Sequence, residues 1–148
     1  MNGVNISIRQ FKGNSILLGI FLFLTGCPYS VSFYDSNTYK NLTDLKAVSG
    51  IVYDKLAADP SAKSLMPDLE GLRLDIEKAY EYEKGKSKND DTIRQLTQIR
   101  EEFAEMYNKI VKGDVYPKAQ ISIMRINMME HFDKAIKTEK MKIDEKKG

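Results

Sequence analysis

Residues 90–113 read DDTIRQLTQIREEFAEMYNKIVKG, and one stripe of apolar side chains runs through them. Successive members of the stripe are three, four, three and four residues apart, at Leu96, Ile99, Phe103, Met106 and Ile110. This spacing continues for about two heptads and places all of these side chains on one helix face. Asp90 or Asp91 can cap the start of the helix, and Gly113 provides its stop. The stretch therefore predicts an amphipathic helix with one buried face.

Similar stripes on both sides of this stretch predict three further helices. The first follows capping side chains at 36–38 and ends at Asp59-Pro60, because proline disfavours helical geometry in the residue before it. The second begins near Ser61 or at Pro67, and the last runs from about 114–117 into the mid-140s. Their apolar positions are Leu42, Leu45, Val48, Val52 and Leu56; Leu65, Leu69, Leu72, Ile76, Ala79 and Tyr80; and Ile121, Met124, Met128, Phe132, Ala135 and Ile136.

The segments between and after the stripes complete an all-α fold. Residues 84–90 contain Gly85 and a polar run, which predicts a solvated loop. From Lys137 the last stripe thins into Lys, Glu and Asp, so we expect this charged helix end to fray or project. Short loops favour an up-down bundle of about four helices, which would occupy residues 36–148.

Composition limits both the size of the domain and its partners. The chain has 148 residues, of which 42% are hydrophobic and 30% charged, values typical of one small globular domain. Residues 1–26 contain Arg9 and Lys12 and no acid, so the chain from Cys27 onward has equal numbers of basic and acidic residues. Nucleic-acid-binding proteins carry a surplus of Lys and Arg that neutralises phosphates. We therefore expect no nucleic-acid partner.

The first 26 residues have the pattern of a secretory signal peptide. Arg9 and Lys12 precede an uninterrupted apolar run at 16–24, ILLGIFLFL. A basic start, a short apolar run and a small residue before the cleavage point define such a peptide. A transmembrane helix needs about 20 predominantly apolar residues, so this run is too short to span a bilayer.

The run ends in Leu24-Thr25-Gly26-Cys27, and Cys27 is the only cysteine in the chain. These four residues resemble the lipobox of bacterial lipoprotein precursors, and the resemblance covers the leader alone. It implies that the Cys27 sulfur receives a diacylglycerol and that the leader is cut between Gly26 and Cys27. In Gram-negative members of this class, Asp after the cysteine favours inner-membrane retention. Pro28 stands there, which implies attachment to the outer membrane with the domain facing the periplasm. In a Gram-positive host, the same signal implies attachment to the outer face of its only membrane.

Three alternatives to lipidation remain for this segment: a soluble secreted protein, an uncleaved signal anchor and a buried structural cysteine. A lone cysteine cannot form an internal disulfide, so no such bond stabilises a monomer. Residues 28–35 carry no helical period. We interpret 27–35 as a lipidated tether, with a short strand or a segment laid against the bundle as alternative forms.

The residues able to perform catalysis or bind metal do not form a known motif. His131 is the only histidine and Cys27 the only cysteine, so neither a His-x-x-x-His pair nor a zinc site with two cysteines can form. Carboxylate pairs such as Glu70 with Glu77 lack the Glu-x-x-His partners of a di-metal bundle. We expect no enzyme activity, no cofactor and no metal. An envelope hydrolase would need a cleft that unites His131 with a Ser or an Asp.

Methionines concentrate on the last helix, at Met124, Met128 and Met129. Methionine fills cores but also adapts to partner surfaces, so core packing and a partner surface shared with Tyr80 and Tyr107 both remain open. The main hypothesis is a non-enzymatic lipoprotein, anchored to a membrane, that binds an envelope protein as an adaptor, a pilotin-like protein or an exclusion or immunity protein. The alternative is a carrier of an apolar ligand such as lipid, held in a cavity near Met124, Met128 and Phe103.

Overall fold

The computed structural model describes residues 32–61 and 63–145, and this region is an all-α bundle. Its four helices are α1 (Ser36–Ala58), α2 (Met66–Lys84), α3 (Asp90–Val111) and α4 (Lys118–Glu145), and a 3-10 turn at Lys63–Leu65 precedes α2. Helices make up 84% of the described region, which contains no strand. The predicted all-α fold is confirmed. The signal peptide, its cleavage point and Cys27 lie outside the described residues.

Local chemistry sets the start of α1. Asp35, rather than a residue of 36–38, is the N-cap: its carboxylate accepts a hydrogen bond from the Asn37 amide at 2.8 Å. Such a bond satisfies one of the amide groups that a helix start leaves without an intrahelical partner. The helix ends before Asp59-Pro60, as the sequence predicts.

The two ends of α3 also follow from single residues. Asn89 is the N-cap residue, so Asp90 and Asp91 lie in the first turn, where their charge complements the positive end of the helix. Gly113 follows the other end with φ +95°, a value that glycine adopts without strain, and its amide donates to the Ile110 carbonyl at 2.9 Å.

The four helices pack in an up-down arrangement. Each helix contacts the next along the chain, and α4 closes the bundle against α1, so the α1–α4 seam lies opposite the α2–α3 seam. The whole apolar stripe of α3 is buried. The largest fully buried side chains come from all four helices: Tyr53, Phe103, Phe132, Leu42, Leu56, Leu69, Leu72, Ile76, Leu96, Ile99, Met106 and Ile121.

One position of α1 departs from the expected stripe. Val48 is exposed, and its neighbour Ser49 is buried instead. Leu42, Ser49 and Leu56 are separated by seven residues each, close to two helical turns, so they share the buried face. The expectation for Val48 was therefore wrong, because helix register rather than hydrophobicity decides which of the two faces the core.

The described end of α4 is helical and packed against the bundle, so the expectation that it frays or projects was also wrong. The helix continues to Glu145, and both Glu139 and Lys142 are buried. Counting from the core residues Phe132 and Ala135, steps of four and three residues lead to Glu139 and Lys142. The buried stripe thus continues in charged residues, which bond to one another and to polar groups of neighbouring segments.

None of the described helices combines the length and the apolar character that crossing a membrane requires. The longest of them, α4, has 28 residues, and charged side chains recur along its second half.

Candidate functional site

The structure divides the five residues of the predicted partner surface among four places. Met128 is in the core, with 0% of its surface exposed, so it does not belong to a surface. Tyr80 and Tyr107 lie on the α2–α3 seam. The Tyr80 ring lies 4.6 Å from the Arg100 guanidinium carbon, and the Tyr107 hydroxyl donates a hydrogen bond to Glu70. Both tyrosines are half-buried there.

The other two methionines lie on α4, away from those tyrosines. Met129 lines the α1–α4 seam, on the opposite side of the bundle from Tyr80 and Tyr107. Met124 lies seven residues before His131, which contacts Glu102 of α3 at 3.1 Å, so helix geometry places Met124 on the α3 side of α4. Of the predicted partner residues, only Met129 therefore lies on the α1–α4 seam.

That seam carries an open groove of about 560 Å³, which we call the α1–α4 groove. Its lining is largely apolar and consists of Tyr39, Thr43, Lys46, Ala47, Gly50, Ile51, Asp54, Arg125, Met129 and Ile136. Ile51 keeps 57% of its surface exposed. A Cβ atom added at Gly50 would lie 3.9 Å from the Met129 sulfur, so the missing side chain of Gly50 leaves room in the groove.

Charged residues along the groove neutralise each other across the seam. Arg125 of α4 pairs with Asp54 of α1 at 2.9 Å, and Lys46 of α1 pairs with Asp133 of α4. Each pair joins the two helices and carries no net charge. The groove therefore presents an apolar surface without net charge, which is complementary to an apolar surface.

In contrast to the apolar groove, one end of the bundle contains a cluster of buried polar groups. Glu83, at the end of α2, accepts hydrogen bonds from the Thr38 hydroxyl of α1, from the side-chain amide of Asn89 at 2.6 Å and from Lys86 at 2.9 Å. Glu83 and Asn89 are almost fully buried. The predicted solvated loop at 84–90 is thus correct for its exposed residues but wrong for Asn89, which bonds inward.

The charged end of α4 supplies the other half of this cluster. The Lys142 ammonium group donates to Glu139 at 2.7 Å, to Asn89 at 2.9 Å and to Thr92 at 3.1 Å. Asn89 therefore connects the α2 carboxylate with the α4 lysine. A buried charge is tolerated only when it is paired and hydrogen-bonded, and these groups meet that condition.

The chain before α1 is fixed to the same end of the bundle. The Asp35 amide donates to Glu139 at 2.7 Å, and its carboxylate accepts from Tyr82 at 2.7 Å and pairs with Lys86 at 2.6 Å. Partial burial opposes ionisation of Asp35, but the bonds from Lys86 and Tyr82 outweigh it and hold its pKa well below the ordinary value. Burial likewise opposes the charge of Lys86, yet its bonds to Asp35 and Glu83 raise its pKa.

Nothing in the loop sequence predicts this polar cluster, but α4 carries a signal for it. Glu139 and Lys142 continue the spacing of the apolar stripe, so two ionisable residues occupy positions that the helix register buries. The register alone could have marked them as a buried ion pair. Their partners Asn89, Thr92 and Asp35 come from elsewhere in the chain and carry no such signal.

Outside the polar cluster, several titratable groups of the described region are held by neighbouring side chains. His131 contacts Glu102, and burial raises the pKa of Glu102 although His131 opposes the shift. Glu70 is held by Arg73 and Tyr107, and Glu77 by Arg100 at 2.6 Å. Among the described residues, no group of three or more His, Cys, Asp or Glu side chains could hold a metal ion.

The interior near Phe103 and Met128 bears on the carrier hypothesis. Both side chains are buried in the core, where the carrier would need a cavity. The cleft that reaches Phe103 measures about 180 Å³ and opens between α2 and α3, beside Arg73 and Arg100. Pockets that hold drug-sized ligands measure about 300–1,000 Å³, so this cleft is small for a lipid chain.

Together these features define a class of protein: an up-down four-helix bundle with a polar cluster at one end and an open apolar groove between its first and last helices. Comparison with protein-family models, characterised proteins and solved structures finds no match to this chain. Its function is therefore inferred from its own sequence and geometry.

Proposed function

We propose that this chain is a non-enzymatic bacterial lipoprotein that is anchored through lipid on Cys27 and acts by binding another envelope protein. The sequence Leu24-Thr25-Gly26-Cys27 supports the anchor, and Pro28 favours the outer membrane with the domain facing the periplasm. The observation that carries the binding role is the α1–α4 groove. It is an apolar opening at the surface, next to a core of buried side chains.

The proposed occupant of the groove is an amphipathic helix of the partner protein. The groove runs from Tyr39 to Asp54 of α1, fifteen helical steps, which is about 22 Å at the helical rise. That length suits about four turns of a docked helix, a common mode of peptide recognition. Because Arg125 and Lys46 are already paired across the seam, a partner with an uncharged apolar face meets no unpaired charge.

The anchor is tested by metabolic labelling with palmitate. Wild-type protein should incorporate label, and its mature N-terminal peptide should begin at Cys27 with the mass of a diacylglycerol adduct. Cys27→Ser should incorporate none. Equal labelling of the Cys27→Ser protein would contradict the anchor, because the label would then enter at another residue.

The groove is tested by site-specific photo-crosslinking in the native envelope. A photoreactive amino acid replaces Ile51 in the groove or, as the matched control, Leu74 on α2, which is 50% exposed. One protein should crosslink at Ile51 and not at Leu74. Equal crosslinking at both positions would contradict a specific groove.

A pair of glycine variants then separates the groove from the helix backbone. Gly50→Leu fills the groove, whereas Gly71→Leu adds the same side chain on α2, where no atom lies within 4 Å of the added Cβ. The Ile51 crosslink should disappear in Gly50→Leu and persist in Gly71→Leu. Its persistence in Gly50→Leu would exclude the groove as the docking site.

A further inference from the structure

The segment that leads into α1 is fixed against one end of the bundle, which we call the tether end. The Ser32 amide donates to the Lys88 carbonyl at 2.8 Å, and the Ser32 hydroxyl donates to Asn89 at 2.9 Å. Three residues later, the Asp35 amide donates to Glu139. These contacts join the segment to the α2–α3 loop and to α4, so the position of Phe33 relative to the bundle is defined.

Phe33 lies between these fixed points and is exposed. It keeps 80% of its surface in contact with solvent, the largest fraction among the exposed large hydrophobic side chains of the described region. It borders a cleft of about 480 Å³ that it shares with Tyr34, Lys86 and Lys88. A single exposed apolar side chain is common on protein surfaces, but Phe33 is held between fixed points and shares its cleft with the aromatic ring of Tyr34.

The length of chain before Ser32 limits what Phe33 can reach. Ser32 follows Cys27 by five positions, a span of at most about 18 Å when fully extended. We propose that the tether end rests on the bilayer, with the Phe33 ring inserted at the boundary between headgroups and acyl chains. This inference rests on the proposed lipidation of Cys27, which supplies the first attachment and holds Phe33 at high local concentration beside the membrane.

The charges around Phe33 indicate that this contact is apolar rather than electrostatic. Around the α2–α3 connection, Lys84 pairs with Glu81 and Arg94 pairs with Asp91, so basic and acidic groups balance. Lys86 is occupied by Asp35 and Glu83. A surface that bound anionic lipid by charge would carry an excess of Lys or Arg.

The chain contains no tryptophan, so one introduced indole reports on one position. We compare Phe33→Trp with Val115→Trp, which lies at the opposite end of the bundle and is 64% exposed. Each lipidated protein is placed in vesicles of phosphatidylethanolamine and phosphatidylglycerol, with lipids brominated near the glycerol end of their acyl chains. We expect quenching of roughly half the indole emission in Phe33→Trp, and of under roughly a tenth in Val115→Trp. The quenching should remain at high salt.

Each outcome decides between the anchor and the surface contact. Lipidated Phe33→Trp without quenching overturns the contact and leaves the anchor standing. Quenching in both variants overturns the end-on arrangement, and quenching lost at high salt overturns its apolar nature. Absence of lipid on Cys27, read from the mass of the same samples, overturns the proposed function and the contact with it.

Discussion

At the scale of single residues, Tyr53 carries a buried hydroxyl group with no hydrogen-bond partner among the described residues. Burial is the main cause that raises the pKa of Tyr53 well above its ordinary value, and the nearby negative charge of Glu102 raises it further. The hydroxyl therefore stays neutral. A buried polar group without a partner loses its bonds to water and gains none in return.

Tyr53→Phe removes that hydroxyl and keeps the ring. We expect the free energy of unfolding, measured by urea denaturation, to stay constant or rise by up to about 1 kcal/mol. Thr38→Val is the contrasting variant, because it removes a buried hydroxyl that is bonded to Glu83, and it should lose about 1–3 kcal/mol. A loss in Tyr53→Phe would show that a buried water bonds the hydroxyl.

Gly50→Ala should stabilise the protein. Glycine inside a helix costs roughly 0.5–1 kcal/mol relative to alanine. The added Cβ would meet Arg125 at 3.8 Å and Met129 at 3.9 Å, which are ordinary contacts. Thermal or urea unfolding should therefore show a gain of about that size, matched by Gly71→Ala on the open face of α2. A gain at Gly71 alone would mean that the groove cannot accept the methyl group.

Residues also set the limit of what the sequence can predict. Apolar side chains such as Leu96 and Phe103 are buried as predicted because each belongs to the apolar stripe of its own helix. Ser49 is buried in spite of its polarity because it shares a helix face with the buried Leu42 and Leu56. Met128 and Met129 are adjacent and chemically identical, yet one is core and the other lines the groove, a distinction that needs the position of α1.

At the scale of elements, the end of α4 depends on a buried ion pair. Lys142→Met leaves Glu139 buried without its cation, and we expect a loss of about 3 kcal/mol in urea unfolding. Lys137→Met is the matched control on the same helix, and its exposed side chain should matter by less than about 0.5 kcal/mol. Equal small effects in both variants would mean that the end of α4 is frayed in solution.

The start of α1 should respond to acid through Asp35. Because its pKa is lowered in the folded state, the charged carboxylate contributes stability at neutral pH that is lost as the pH falls below about 4. The difference in unfolding free energy between wild type and Asp35→Asn should therefore shrink from pH 7 to pH 3. In Asp75→Asn, which removes an exposed carboxylate paired with Lys78, the difference should be small throughout. A constant Asp35→Asn difference would contradict the prediction.

Elements differ in how far local sequence determines them. The four helices could be predicted because the apolar stripe of each helix and the residues that start and end it lie close together in the sequence, as in α3. The α2–α3 loop could not, because Asn89 is buried by Glu83 and Lys142, whose positions depend on how α2 and α4 pack. The α1–α4 groove is equally non-local, since it forms where Gly50 of one helix faces Met129 of another.

At the scale of the whole molecule, the segment before α1 lies outside the buried core of the described region but is bonded to it. The buried residues of the described region lie between Thr38 and Lys142, whereas Ser32 and Asp35 contribute hydrogen bonds to the tether end. The domain should therefore fold without the proposed lipid on Cys27, but not equally well without residues 32–35.

Two truncated proteins separate these contributions. A protein of residues 28–148 should match the helical circular dichroism of the lipidated protein in detergent, and its free energy of unfolding should agree within about 0.5 kcal/mol. A protein of residues 36–148 should be less stable than the 28–148 form by about 2 kcal/mol, because Glu139 and Asn89 lose buried hydrogen bonds and Lys86 loses its pairing with Asp35. Equal stability of the two would mean that the segment before α1 is only a tether. Failure of 28–148 to fold would make the leader or the lipid part of the folding unit, and the anchor could then no longer be treated as an attachment to an independent domain.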